Sequence, residues 1–86
     1  MELTIIEQRI LKILFKNNGK MTIRELHIKS KTSTTSINLT LINLERMGLV
    51  IENKEKNFPR RRFIILTEKG KKVAELLVKI DDVLSS

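Results

Sequence analysis

The sequence predicts a mostly α-helical α+β domain: three helices in close succession, a basic β-hairpin, and a closing fourth helix. Three observations carry this expectation. Helix-capping signals open successive 3.6-residue apolar patterns in the first half of the chain. The apolar period then becomes strand-like on either side of a charged stretch. A final helical pattern follows the second of those runs. With 86 residues the chain can bury little more than half of its unfolded surface, so a single domain is expected.

Thr4-Ile5-Ile6-Glu7 has capping-box spacing, and Ile6, Ile10, Ile13 and Leu14 follow at helical intervals up to the left-handed stop Asn17-Asn18-Gly19. The first helix is therefore expected over roughly 5–16. Thr22-Ile23-Arg24-Glu25 is a second capping box, opening a short helix to about Lys29, with Met21 before it as a one-residue strand. Ser33 is placed to cap a third helix from Thr34 to about Met47, which Gly48 ends. Its inward stripe is Ile37, Leu41 and Leu44. Leu49-Val50-Ile51 and Phe63-Ile64-Ile65-Leu66 read as strands flanking a polar stretch that contains Asn57-Phe58-Pro59, hence a hairpin. Thr67 caps the last helix, where Val73, Leu76, Leu77, Ile80, Val83 and Leu84 form an apolar stripe.

Seventeen Lys and Arg against ten Asp and Glu give a net charge of +7, which attracts a polyanion. Without Trp or Tyr, and with only Phe15, Phe58 and Phe63, a base-stacking platform for single strands is not expected, so the polyanion should be a duplex. Absence of cysteine removes disulfides and thiolate chemistry, and a lone histidine, His27, cannot build a metal cage. His27 is expected to be packed or partly buried. There is no Ser/His/Asp set and no phosphate-cradling glycine loop, so no enzyme, cofactor or metal is expected. No apolar run reaches the length of a membrane span, and Met1-Glu2 opens without a basic leader, so a soluble cytoplasmic, nucleoid-associated protein is expected.

On a wheel of 100° per residue, the third helix turns Thr35, Asn38, Leu39, Ile42 and Arg46 away from its inward stripe. With Ser33, Thr34 and Ser36 at its start, this is the candidate face for the major groove. Hydroxyls suit phosphates and base edges, and Asn38 carries the donor–acceptor pair that reads adenine. Leu39 and Ile42 are open to two readings: contact with thymine methyls, or packing against the second helix in a rotated arrangement. The hairpin carries Lys54, Lys56, Arg60, Arg61 and Arg62 against Glu52 and Glu55, a basic surface for the sugar-phosphate backbone or minor groove. Phe58 is expected to pack across the hairpin. Lys29, Lys31, Lys69, Lys71 and Lys72 are secondary candidates for flanking phosphates.

Helix, short helix, turn, helix and basic hairpin is the order of a winged helix-turn-helix (three-helix core, β-hairpin wing, C-terminal helix). Ser33 through Leu41, the junction Leu44-Glu45-Arg46-Met47-Gly48-Leu49-Val50, Arg61-Arg62, and the junction Leu66-Thr67-Glu68-Lys69-Gly70 together resemble winged-helix transcriptional regulators of the MarR and ArsR type, in a small archaeal-type form. The resemblance spans roughly residues 5–75. It implies a sequence-specific double-stranded DNA-binding regulator, expected to be a repressor. Relatives usually show Ala, Leu, Gly and Leu where this chain has His27, Ser30, Lys31 and Thr32. A left-handed Lys31 would cost on the order of 1 kcal/mol relative to glycine.

Residues 1–67 are expected to form the DNA-binding domain, and residues 68–86 a helix of the same domain serving dimerisation. Two-fold dimers place recognition helices one helical turn apart on duplex operators, and the stripe Val73, Leu76, Leu77, Ile80, Val83 and Leu84 could pair two copies, joined by Leu3, Ile5 and Leu11. The ligand-pocket helices of larger MarR relatives and the Cys/His clusters of metal-sensing ArsR relatives find no counterpart, so no inducer is expected. Two alternatives stand beside this: a chromatin-type protein that binds backbone with little base preference, and a winged-helix module that docks a protein.

Overall fold

The computed structural model describes residues 2–86; Met1, in the opening Met1-Glu2 and at the start of the expected 1–67 unit, lies outside the described residues. The elements run α1 (Ile5–Lys16), β1 (Lys20–Thr22), α2 (Ile23–Ser30), α3 (Thr34–Arg46), β2 (Val50–Lys54), β3 (Arg62–Leu66) and α4 (Glu68–Ser85). This is the winged-helix order. Both capping boxes form: Thr4 accepts from the Glu7 amide while Glu7 accepts from the Thr4 amide, and Thr22 and Glu25 repeat the exchange. Ser33 caps α3 by accepting from Ser36 N–H, and Thr67 caps α4 by accepting from Gly70 N–H.

The strand expected at Met21 alone is three residues long and joins the sheet, whose order is β1-β3-β2, antiparallel throughout. Met21 lies opposite Ile64, and Ile64 opposite Glu52, so β3 is the central strand and its Ile64 and Leu66 point into the core. The core is built from Ile10, Leu11, Leu14, Met21, Leu26, Ile37, Leu41, Leu44, Leu49, Val50, Ile64, Leu66 and Ala74. Leu11 is fully buried there, which removes it from the surface expected to pair two copies. Leu3 also packs on this core, and only Ile5 of the three residues named from the N-terminal region stands exposed.

The two glycine junctions touch one another. Thr67 Oγ1 donates to the Gly48 carbonyl at 2.6 Å and accepts from Gly70 N–H at 2.9 Å, while Thr67 N–H donates to the Leu49 carbonyl. Gly48 ends α3 at φ +75°, in the left-handed region that favours glycine. Gly70 is needed for space: a Cβ there would lie 1.9 Å from the Leu49 carbonyl oxygen. The start of α4 is thus set directly on the end of α3, which fixes the wing between them.

Lys31 adopts φ 55°, ψ 33° at the C-terminus of α2. The turn into α3 therefore keeps the left-handed geometry of its class with a residue that pays on the order of 1 kcal/mol for it. His27 is exposed, contrary to expectation, and its Nδ1 lies 2.7 Å from the Thr32 carbonyl oxygen, bridging the turn from outside. A ring on α2 reaches that carbonyl without entering the core, so no burial is required.

Candidate nucleic-acid interface

Burial divides α3 into two faces. Ile37, Leu41 and Leu44 are buried, and directly opposite them Thr35, Leu39, Ile42 and Arg46 are all exposed, at intervals of four, three and four residues. Leu39 is 65% exposed and Ile42 51%. The rotated arrangement that would have packed both against α2 is therefore excluded. Thr34 is exposed beside them, whereas Ser33 and Ser36 are engaged with each other, Ser33 Oγ lying 3.1 Å from Ser36 Oγ and accepting from the Ser36 amide. Those two hydroxyls hold the helix start more than they present themselves.

Among the described residues one side-chain hydrogen bond links the wing to α3, and it is made by Arg62. Arg62 Nη2 and Nε donate to Glu52 Oε1 and Oε2 at 2.6 and 3.2 Å, and Arg62 Nη1 donates to Asn38 Oδ1 at 3.2 Å. Arg61 is paired likewise: its Nε donates to Glu55 Oε1 at 2.7 Å and its backbone N–H to the same oxygen. These hydrogen bonds, reinforced by the guanidinium charges, hold the Glu52 and Glu55 carboxyls below the ordinary carboxylate range. Two of the five expected wing cations are thereby tied within the hairpin. Among the described residues Lys54, Lys56 and Arg60 have no ion-pair partner, and all three are exposed.

Asn38 is half-buried with its carbonyl committed to Arg62, so it is not the free donor–acceptor pair that the sequence suggested. Phe58 is 93% exposed and does not pack across the hairpin. Phe63 is the half-buried aromatic of the hairpin, with Lys20 Nζ of β1 4.7 Å and the Arg61 guanidinium 5.4 Å from its ring centre. The tip, closed by a hydrogen bond from Arg60 N–H to the Asn57 carbonyl, leaves Phe58 no facing surface. Between wing and helix starts runs an open groove lined by Arg24, Thr34, Arg60 and Arg61. Arg24 was not singled out from the sequence; its position two residues after the Thr22 cap, on the outer side of α2, was the available signal.

Of the secondary lysines, Lys29 donates to Asn17 Oδ1, Lys69 to the Met47 carbonyl and Lys71 to Glu68, while Lys31 and Lys72 are exposed. On α4 the stripe divides. Val73 and Leu77 are half-buried against the core, and Lys12 on α1 bonds Asp81 at 2.8 Å. Leu76, Ile80, Val83 and Leu84 are each more than half exposed and line one shallow apolar depression. No group of three or more His, Cys, Asp or Glu among the described residues is placed to hold a metal, and no helix there is long and apolar enough to cross a membrane.

Residues 1–69 match the family described as sugar-specific transcriptional regulator TrmB. The chain belongs to this family. Solved structures share its fold, as the MarR-type resemblance implied. The MepR–DNA complex of Staphylococcus aureus is 25% identical, with a TM-score of 0.82 over 96% of this chain and 61% of that one. NadR in complex with 4-hydroxyphenylacetate is 29% identical, with a TM-score of 0.80 over 95% of this chain and 63% of that one. The adhesin competence repressor AdcR of Streptococcus pyogenes is 20% identical, with a TM-score of 0.84 over 96% and 60%. The chain thus spans about three-fifths of the length of these structures. No curated protein sequence matches it. Family and fold are those of transcriptional regulators.

Proposed function

We propose that this TrmB-family chain is a sequence-specific double-stranded DNA-binding repressor acting as a homodimer in the cytoplasm, on the nucleoid, with no catalytic step. One observation carries the reading: the exposed row of α3 adjoins a wing whose Lys54, Lys56 and Arg60 are unpaired, the two being joined by Arg62 and Asn38. A helix of this width fits the major groove, and a basic hairpin at its side meets the flanking backbone. The MepR structure with DNA and the name of AdcR support the DNA-binding and repressor parts.

In this reading Thr34, Thr35, Leu39, Ile42 and Arg46 face the groove, the three free wing cations face phosphates, and Ser33, Ser36, Asn38, Arg61 and Arg62 hold that surface in shape through their hydrogen bonds. Residues up to Thr67 supply the DNA-binding unit. The distal half of α4, with Leu76, Ile80, Val83 and Leu84, supplies the pairing surface, aided by Ile5. Two copies then present two recognition helices to a two-fold operator.

The test is an anisotropy titration of a labelled duplex from upstream of the chain's own gene against a scrambled duplex, at two salt concentrations. A preference for the native duplex of roughly 10³-fold or more, with salt-dependent binding to both, is expected. Equal, salt-sensitive binding to both would leave either a backbone-only binder or a regulator whose operator lies elsewhere, which selection from a random duplex library separates. Failure to bind either at low salt would replace it with a protein-docking module.

A further inference from the structure

On the outward row of α3, the groups able to form hydrogen bonds sit at the two ends and the centre is aliphatic: Thr35, then Leu39 and Ile42, then Arg46. Each amide flanking that row has a partner inside the chain. Asn38 Oδ1 accepts from Arg62, and Asn43 Nδ2 donates to the buried Glu7 carboxylate, whose other oxygen accepts from the Thr4 amide. The two asparagines, whose paired donor and acceptor would read adenine, thus each have one polar atom engaged within the chain, and two branched aliphatics project from the centre of the row.

Resting on the DNA-binding reading above, we propose that α3 recognises its duplex through thymine 5-methyl groups, with Leu39 and Ile42 as the specificity-determining residues. The thymine methyl is the one apolar feature of the major-groove edge, and a single aliphatic side chain suffices to cover it. A protein partner fits this row less well. Stable protein interfaces need a broad, charge-depleted apolar centre, and this row is two side chains wide between Lys31 before the helix and Arg46 at its end, beside the cationic wing. That distribution of charge complements a phosphate backbone on both sides of a methyl-bearing groove.

The experiment is selection from a duplex library with a random stretch of about two helical turns. The enriched duplex is then compared with its analogue carrying deoxyuridine for thymine, which pairs identically and lacks only the methyl. Enrichment of a thymine-bearing motif is expected, with affinity falling roughly fourfold for each contacted methyl removed. In Leu39→Ala with Ile42→Ala the thymine and deoxyuridine duplexes should bind alike, and because both side chains are exposed the variant should unfold at the wild-type temperature. A motif bound equally well with thymine and deoxyuridine would overturn the inference while leaving sequence-specific binding intact. So would a methyl preference that survives the double substitution. No enrichment of any motif would overturn the sequence-specific reading itself, and this inference with it.

Discussion

In the wing, two of five cations are held by carboxylates of the same hairpin, whereas in the distal half of α4 four apolar side chains stand more than half exposed. Both regions look like interaction surfaces in the sequence, and both have members engaged on folding: Arg61 and Arg62 with Glu55 and Glu52, Val73 and Leu77 in part with the core. What remains differs in kind. The wing keeps three exposed charges whose effect is long-ranged and screened by salt, while α4 keeps a contiguous apolar strip whose effect is short-ranged and largely salt-independent. A sequence pattern counts groups; only the fold shows which still lack partners.

The sharpest way to separate the two halves of α4 is Gly70→Ala. Its Cβ would meet the Leu49 carbonyl oxygen at 1.9 Å, a backbone atom that cannot swing aside, so α4 must lift from the end of α3. Destabilisation of roughly 3 kcal/mol is expected, at the upper end of overpacking, with Tm lower by more than about 10 °C. Denaturant unfolding checks it. Unchanged stability would mean that the Thr67–Gly48–Gly70 junction yields easily.

Ile80→Glu with Leu84→Glu should do the reverse. Both positions are exposed, so the unfolding free energy of the isolated chain should stay within about 0.5 kcal/mol. Sedimentation should show the wild type at twice the chain mass and the variant at once. A wild type that sediments as a single chain, or a variant that still pairs, would remove α4 from the pairing surface.

The wing can be divided residue by residue. Lys54→Ala, Lys56→Ala and Arg60→Ala should each reduce the slope of log affinity against log salt by about 0.9, as expected for one lost phosphate contact. Arg61→Ala should leave that slope unchanged, because its guanidinium already donates to Glu55. Equal effects at all four positions would show that the Arg61–Glu55 pair opens on the duplex.

Helix limits were legible because they depend on neighbours in sequence. Thr4, Thr22, Ser33 and Thr67 cap the elements they were expected to cap, since a hydroxyl three residues from an amide acts locally. The left-handed Gly48 was legible for the same reason. Long-range partners were not. Nothing local says that Arg62 will meet Asn38 twenty-four positions away, or that Asn43 will meet Glu7 across α1 and α3. Asn38 therefore looked free, Leu11 looked available for pairing, and Phe58, an aromatic in a hairpin, looked packed. Which of Phe58 and Phe63 finds a surface depends on strand register: Phe63 lies opposite Thr22 and Asn53, whereas Phe58 lies beyond the last paired residues.

The smallest expected effect concerns the ion pair beside the hydrogen bond that links the wing to α3. Hydrogen bonds from Arg62, and then its charge, hold the Glu52 carboxyl below its ordinary range. A carboxyl depressed in the folded state stabilises fully above its unfolded pKa, and that contribution disappears as pH falls through the folded value. The Arg62 and Glu52 side chains are 37% and 22% exposed, so solvent screens the pair and its worth should be about 0.5–1 kcal/mol. Glu52→Gln should be less stable than wild type by that amount near neutral pH, with the difference closing as the carboxylate protonates in acid. A gap that stays constant with pH would mean that the side chain acts by packing alone. Arg62 also donates to Asn38, so protonation of Glu52 frees the guanidinium to shift relative to α3. Duplex affinity of the wild type should then approach that of Glu52→Gln over the same acid range, because the two side chains are then both neutral and leave Arg62 equally free.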